Sequence, residues 1–116
     1  MQQLPVRGGK HFKEMYVGKS LPTYDSMIVL THFKGHAAGG FGGSLKNIAI
    51  GCADAKVGKA MQHNADFSIR GAHFMEHMAE AGKAVTDFFG KRPILMYLTE
   101  CPCAATAPGW KPNRQR

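Results

Sequence analysis

Two short apolar runs constrain this chain most. The first is Met27-Ile28-Val29-Leu30, inside the segment Ser26–His32; the second is Ile94-Leu95-Met96-Tyr97-Leu98. Each is bounded by polar or turn residues, and each has the length of a strand rather than a helix. Apolar runs without alternation read as strands buried on both faces, as in a parallel sheet. Between them, residues 72–89 repeat Phe74, Met78, Ala81, Val85 and Phe88 or Phe89 at steps of three and four, the period of an amphipathic helix. Gly90 stops that helix and Pro93 follows it. A strand, a long crossover containing a helix, and a second strand predict parallel pairing with a right-handed connection. The expected fold class is therefore α/β: a partial parallel or mixed sheet with a glycine-rich loop and a crossover helix.

The rest of the chain bounds what surrounds this unit. With 116 residues, one domain is expected. Neither apolar run approaches the length that spans a bilayer, and the amino-terminal MQQLPVRGGKHFKEM has no apolar leader segment. The expectation is no membrane partner and no secretion. Net charge is +7, but most of it sits at the two ends: Arg7, Lys10, Lys13 and Lys19 against Glu14 alone, then Lys111, Arg114 and Arg116 in a stretch without acids. Without a basic patch interleaved with aromatics, a nucleic-acid partner is not expected. Three cysteines, Cys52, Cys101 and Cys103, form an odd set that predicts a reducing, cytoplasmic setting. Residues 1–24 hold Pro5, Gly8, Gly9, Gly18 and Pro22, and predict loop with a short extended piece near Met15–Val17. Residues 54–71 give no clear element. Residues 104–116 predict a disordered basic tail.

Ligands of open parallel sheets bind beyond the carboxyl ends of the strands. His32, Lys34 and His36 leave that end of the first strand; Glu100, Cys101 and Cys103 leave that end of the second. The segment GHAAGGFGG brings Gly39, Gly40, Gly42 and Gly43 to the same edge, followed by Ser44, Lys46 and Asn47 at a helix start. Free backbone N–H groups and a lysine there suit a small anionic ligand. The spacing is neither a phosphate-binding Walker loop nor a dinucleotide fingerprint. His32, His36, Cys52, Cys101 and Cys103 are the candidate ligands for a transition metal. The string His73-Phe74-Met75-Glu76-His77 matches H-x-x-E-H. In a chain too small for a protease cleft it predicts a solvated helix face, with Phe74 and Met78 turned to the core.

The run Val29-Leu30-Thr31-His32-Phe33-Lys34-Gly35-His36, then Gly39 to Gly43, Lys46-Asn47, Gly51-Cys52-Ala53, Gly58-Lys59 and His63 resembles the core signature of the domain-of-unknown-function 362 family. The resemblance covers roughly residues 8–103, and residues 1–103 are expected to form the central segment of such a domain. Family members often carry iron–sulfur modules and commonly have Cys-Asp-Cys where this chain has Cys101-Pro102-Cys103. The resemblance thus implies an iron–sulfur cluster or a transition metal as the cofactor. The chain departs from the family after Cys103, and the ferredoxin cysteines are absent. This implies a truncated domain with open sheet edges, prone to self-association. The Gly42-Gly43-x-x-Lys46 string with His63 is also similar to a segment of nickel-pincer lactate racemases. That similarity implies that Lys46 holds the cofactor and His63 contacts its metal.

Overall fold

In a computed structural model, residues 1–38, 40–65, 68–90 and 94–100 are described. Five strands and three helices follow in the order β1 (Gln2–Pro5), β2 (Glu14–Val17), β3 (Met27–His36), β4 (Gly40–Gly42), α1 (Ser44–Cys52), α2 (Val57–Gln62), α3 (Gly71–Phe89) and β5 (Ile94–Glu100). They form a mixed α/β fold with two sheets. β1 and β2 make an antiparallel pair, and a three-stranded sheet has the order β4-β3-β5.

The two apolar runs pair in parallel as their spacing predicts, in register from Met27↔Ile94 to Phe33↔Glu100. The glycine-rich segment is not an open loop. β3 runs on to His36, turns through Ala37 and Ala38, and β4 returns antiparallel with Lys34↔Gly42 and His36↔Gly40. Gly40 takes a φ of +78°, which glycine adopts at no steric cost.

One face of β3 is covered and the other is not. Val29 and Thr31 are buried, while Ile28 is 67% and Leu30 is 72% exposed. The expectation of a strand buried on both faces is thus corrected: all three helices fall in the crossover, and Ile28 and Leu30 stay in contact with water. Residues 1–24 are more ordered than their prolines and glycines suggest. β1 and β2 turn Leu4, Met15 and Val17 into the core, and a short 3-10 turn covers Leu21–Thr23. Residues 57–62 form α2, where no element is expected from the sequence.

The core lies between α3, α1 and the β1–β2 pair. Phe74, Met78, Ala81, Val85 and Phe89 line the inner face of α3, as the period predicts; of the two candidates at its end, Phe89 is buried and Phe88 half-buried. They meet Ile48 and Ala49 of α1 with Leu4, Met15 and Val17. Gly90, at φ +49°, ends α3 with its N–H on the Thr86 carbonyl. Among the described residues no helix is long and apolar enough to cross a membrane.

Candidate functional site

The carboxyl end of β3 gathers a set of cationic side chains. His36 is the last residue of the strand, and Lys34 precedes it on the same side. A Cβ built on Gly42 would lie 3.6 Å from Lys34 Cγ and 3.7 Å from Cε, so the lysine stem passes over the glycine of the neighbouring strand. Lys46 comes from the first turn of α1, which carries no acidic residue. His63 ends α2, its Nδ1–H donating to the Lys59 carbonyl at 2.8 Å. Arg70 is placed by its neighbour: the Gly71 N–H donates to the Ala38 carbonyl at 2.8 Å, tying the start of α3 to the β3–β4 turn.

Phe74 is the floor under these groups. The His36 ring stacks on it in parallel, centroids 5.9 Å apart, and the His63 ring tilts against it at 5.3 Å. His36 Nδ1 accepts the Ala38 N–H at 3.3 Å. Burial, and then the charges of Lys46, His63, Lys34 and Arg70, hold the His36 pKa below its usual value. Burial and the nearby Lys34 likewise lower that of Lys46. Positive potential accumulates at this edge.

The other residues picked out from the sequence fall in different places. Asn47 is structural: its Nδ2–H and the Ser44 hydroxyl both donate to Thr31 Oγ1, at 3.0 and 3.1 Å, and so fasten α1 to β3. Gly42 and Gly43 are buried between Lys34 and the start of α1. His32 and His36 both lie on the extended strand, where four residues span about 13 Å. Their imidazoles are not brought to one ion. Cys52 is half-buried against Met27–Leu30, near the opposite end of β3, and burial pushes its thiol pKa up. Gly39, Cys101, Cys103 and the tail 104–116 lie outside the described residues. Arg70 carries no sequence signal, because only the tertiary hydrogen bond at Gly71 brings it to the edge.

The His73–His77 string is the solvated face expected of it only at His73 and in part at Glu76. His77 is only 7% exposed, and its Nδ1–H donates to the Gln62 carbonyl at 3.1 Å. Glu76 Oε2 accepts from His11 Nε2 at 2.5 Å and from Lys10 Nζ at 3.4 Å. The His11 hydrogen bond, against a smaller opposing push from burial and with help from Lys10, keeps the Glu76 carboxyl below its ordinary range. One turn on, the Glu80 carboxylate accepts the backbone N–H groups of Lys10, His11 and Phe12 at 2.7–3.1 Å. Burial raises the Glu80 pKa, but the three N–H groups and His11 outweigh it and the net shift is downward. The β1–β2 loop is thus clamped to α3 by two carboxylates.

No curated protein and no solved structure matches the chain. A family model described as domain of unknown function (DUF362) does match, over residues 1–112, and the protein belongs to that family.

Proposed function

We propose that the chain binds a small anion, through a phosphate or carboxylate group, at the carboxyl end of β3. Lys34, His36, Lys46, His63 and Arg70 form the receiving set. One observation carries the reading: Lys34 stands near enough to depress the half-buried Lys46, yet among the described residues neither lysine makes an ion pair. A half-buried Lys46 beside the exposed Lys34, with no ion pair among the described residues, costs stability that an anion would offset. The start of α1 adds backbone N–H groups of the same polarity.

The test is inorganic phosphate binding by calorimetry at constant ionic strength. A hydrogen bond to a charged group is worth about 1.5–3 kcal/mol, so Lys46→Met should weaken phosphate about tenfold or more while the fold persists. Equal affinity in the wild type and a Lys34→Ala/Lys46→Met double variant would overturn the reading.

A second reading concerns association. The apolar pair Ile28 and Leu30 on the open face of β3 favours self-association with another copy of this chain. Sedimentation should show mass growing with concentration, and Ile28→Lys/Leu30→Lys should return a monomer; a wild-type monomer at every concentration would remove it. A soft metal at Cys101 and Cys103 rests on the Cys-Pro-Cys pair, an iron–sulfur cluster there on the family resemblance alone, and a cytoplasmic setting on cysteine usage; all three belong to the same proposal.

A further inference from the structure

We propose a second site, at the other end of α3 from the helix stop: a divalent transition-metal site of the zinc type formed by His11, His73 and Glu76. None of its three ligands belongs to the anion-receiving set, although Arg70 of that set lines the neighbouring cleft, and the proposal stands or falls separately.

The three ligand atoms, one from each side chain, all lie within 4.8 Å of one another. Glu76 Oε2 is 2.5 Å from His11 Nε2 and 3.9 Å from His73 Nδ1. In a tetrahedral zinc site, bonds near 2.0–2.1 Å place ligand atoms about 3.3 Å apart. These two separations bracket that value and the third, between His11 and His73, is at most 4.8 Å, so a metal needs adjustments of up to about 1.5 Å. His73 is free to do so, with its side chain 74% exposed. Two imidazoles and a carboxylate are the donors of zinc sites that keep a fourth position open. Beside them lies a cleft of about 370 Å³ whose described lining is Asn64, Ile69, Arg70, His73 and His77, with room for water or a small ligand.

The supporting shell is built. His73 and Glu76 are one helical turn apart on α3 and so share a face. His11 arrives from a loop that Glu80 fixes through three backbone N–H groups. The His11 ring also packs edge-on against the buried His77, with centroids 4.7 Å apart. Such outer contacts orient metal ligands in established sites. In the metal-free arrangement the His11–Glu76 hydrogen bond holds a proton where the cation would sit, and the cation displaces it. Lys10 Nζ competes for the same oxygen from 3.4 Å, but its side chain is 72% exposed and can swing into water.

The experiment is titration of the full chain with Zn²⁺ and with Co²⁺, read by calorimetry and by the visible d–d bands of tetrahedral cobalt. One equivalent should bind without a sulfur-to-cobalt charge-transfer band. Glu76→Gln and His73→Ala should each weaken it at least tenfold, with an unchanged far-ultraviolet circular dichroism spectrum. Lys10→Ala should tighten it, because a competing cation is gone. No binding overturns the proposal. So does binding that Glu76→Gln and His73→Ala leave intact, or a charge-transfer band that assigns the metal to the cysteines. Phosphate affinity retained in Glu76→Gln separates this outcome from that of the anion site.

Discussion

Alanine in place of glycine inside a helix ordinarily stabilises by up to about 1 kcal/mol. Two helical glycines of this chain should respond with opposite signs. Gly51, in the last turn of α1, is exposed, and a Cβ there meets nothing within 4 Å. Gly51→Ala should therefore gain about 0.5 kcal/mol, less than the full amount because it lies near the helix end. Gly58, in α2, is buried, and a Cβ there would stand 2.1 Å from the Tyr16 carbonyl oxygen, 3.2 Å from Ala53 Cβ and 3.2 Å from Met15 Cε. Ordinary contact begins at 3.4 Å, so α2 and β2 must separate by more than an ångström. The carbonyl cannot simply yield, because it accepts the Asp54 N–H at 2.9 Å and belongs to a strand paired with Gln3. Overpacking against such an obstacle costs about 3 kcal/mol, from which the propensity gain is subtracted, leaving about 2 kcal/mol of destabilisation. For a chain of this size that lowers the melting temperature by about 8 °C. Urea and thermal denaturation of both variants, each followed by circular dichroism, provide the assay. A Gly58→Ala protein that melts at or above the wild type would refute the close approach of α2 to β2.

Two further outcomes follow from the clusters. His36 is held below its ordinary pKa of 6.5 by burial first and then by Lys46, His63, Lys34 and Arg70. Near and below pH 6.5 the unfolded chain therefore binds more protons than the folded one. The contribution of His36 to stability should fall as pH drops through that point and level off beneath its folded pKa, the depressed carboxylates Glu76 and Glu80 adding their own loss at lower pH. Sulfate, whose charge is constant in this range, should raise the His36 pKa and bind more tightly as pH falls; a ring titration by NMR that sulfate leaves unmoved would count against the site. Glu80→Gln exchanges a carboxylate for an amide that cannot accept all three N–H groups of Lys10, His11 and Phe12. With water able to substitute in part, the loss should be about 1 kcal/mol. Amide exchange at residues 10–12 should speed up, and unchanged protection there would contradict the clamp.

What could be read in the sequence divides along physical lines. β3, α3 and β5 announce themselves because each is written in apolar side chains with a definite period, and parallel pairing follows from the length of the crossover. β4 is invisible to that method, since Gly40 and Gly42 contribute no side chains to a pattern. β1 and β2 are four residues each and carry Leu4, Met15 and Val17 as their buried signal. The loop between them is held by Glu80, far along the chain, which no local pattern shows. The open face of β3 was hidden for a related reason: Ile28 and Leu30 look like core residues, and only the placement of the helices shows what stays uncovered. The gathering of Lys34, His36 and Lys46 was legible from the rule that ligands seek the carboxyl ends of strands, whereas His63 entered only through the resemblance. Arg70 and the partnership of His11 with Glu76 were not, because long-range hydrogen bonds create them.

The clamp of Glu80 on residues 10–12 joins groups 68–70 positions apart, and this sets an order of events during synthesis. At roughly 5–20 residues per second, the ribosome needs about 4 to 14 s to deliver α3 after the first hairpin has been made. Through that interval β1 and β2 are a two-stranded pair without a partner layer, a unit with marginal stability in water. Leu4, Met15 and Val17 then face solvent, and folding of the amino-terminal hairpin becomes a late event despite its early emergence. A translational pause placed before residue 71 would lengthen the exposure and favour capture by chaperones, whereas one placed after residue 90 would shorten the search by presenting helix and hairpin together.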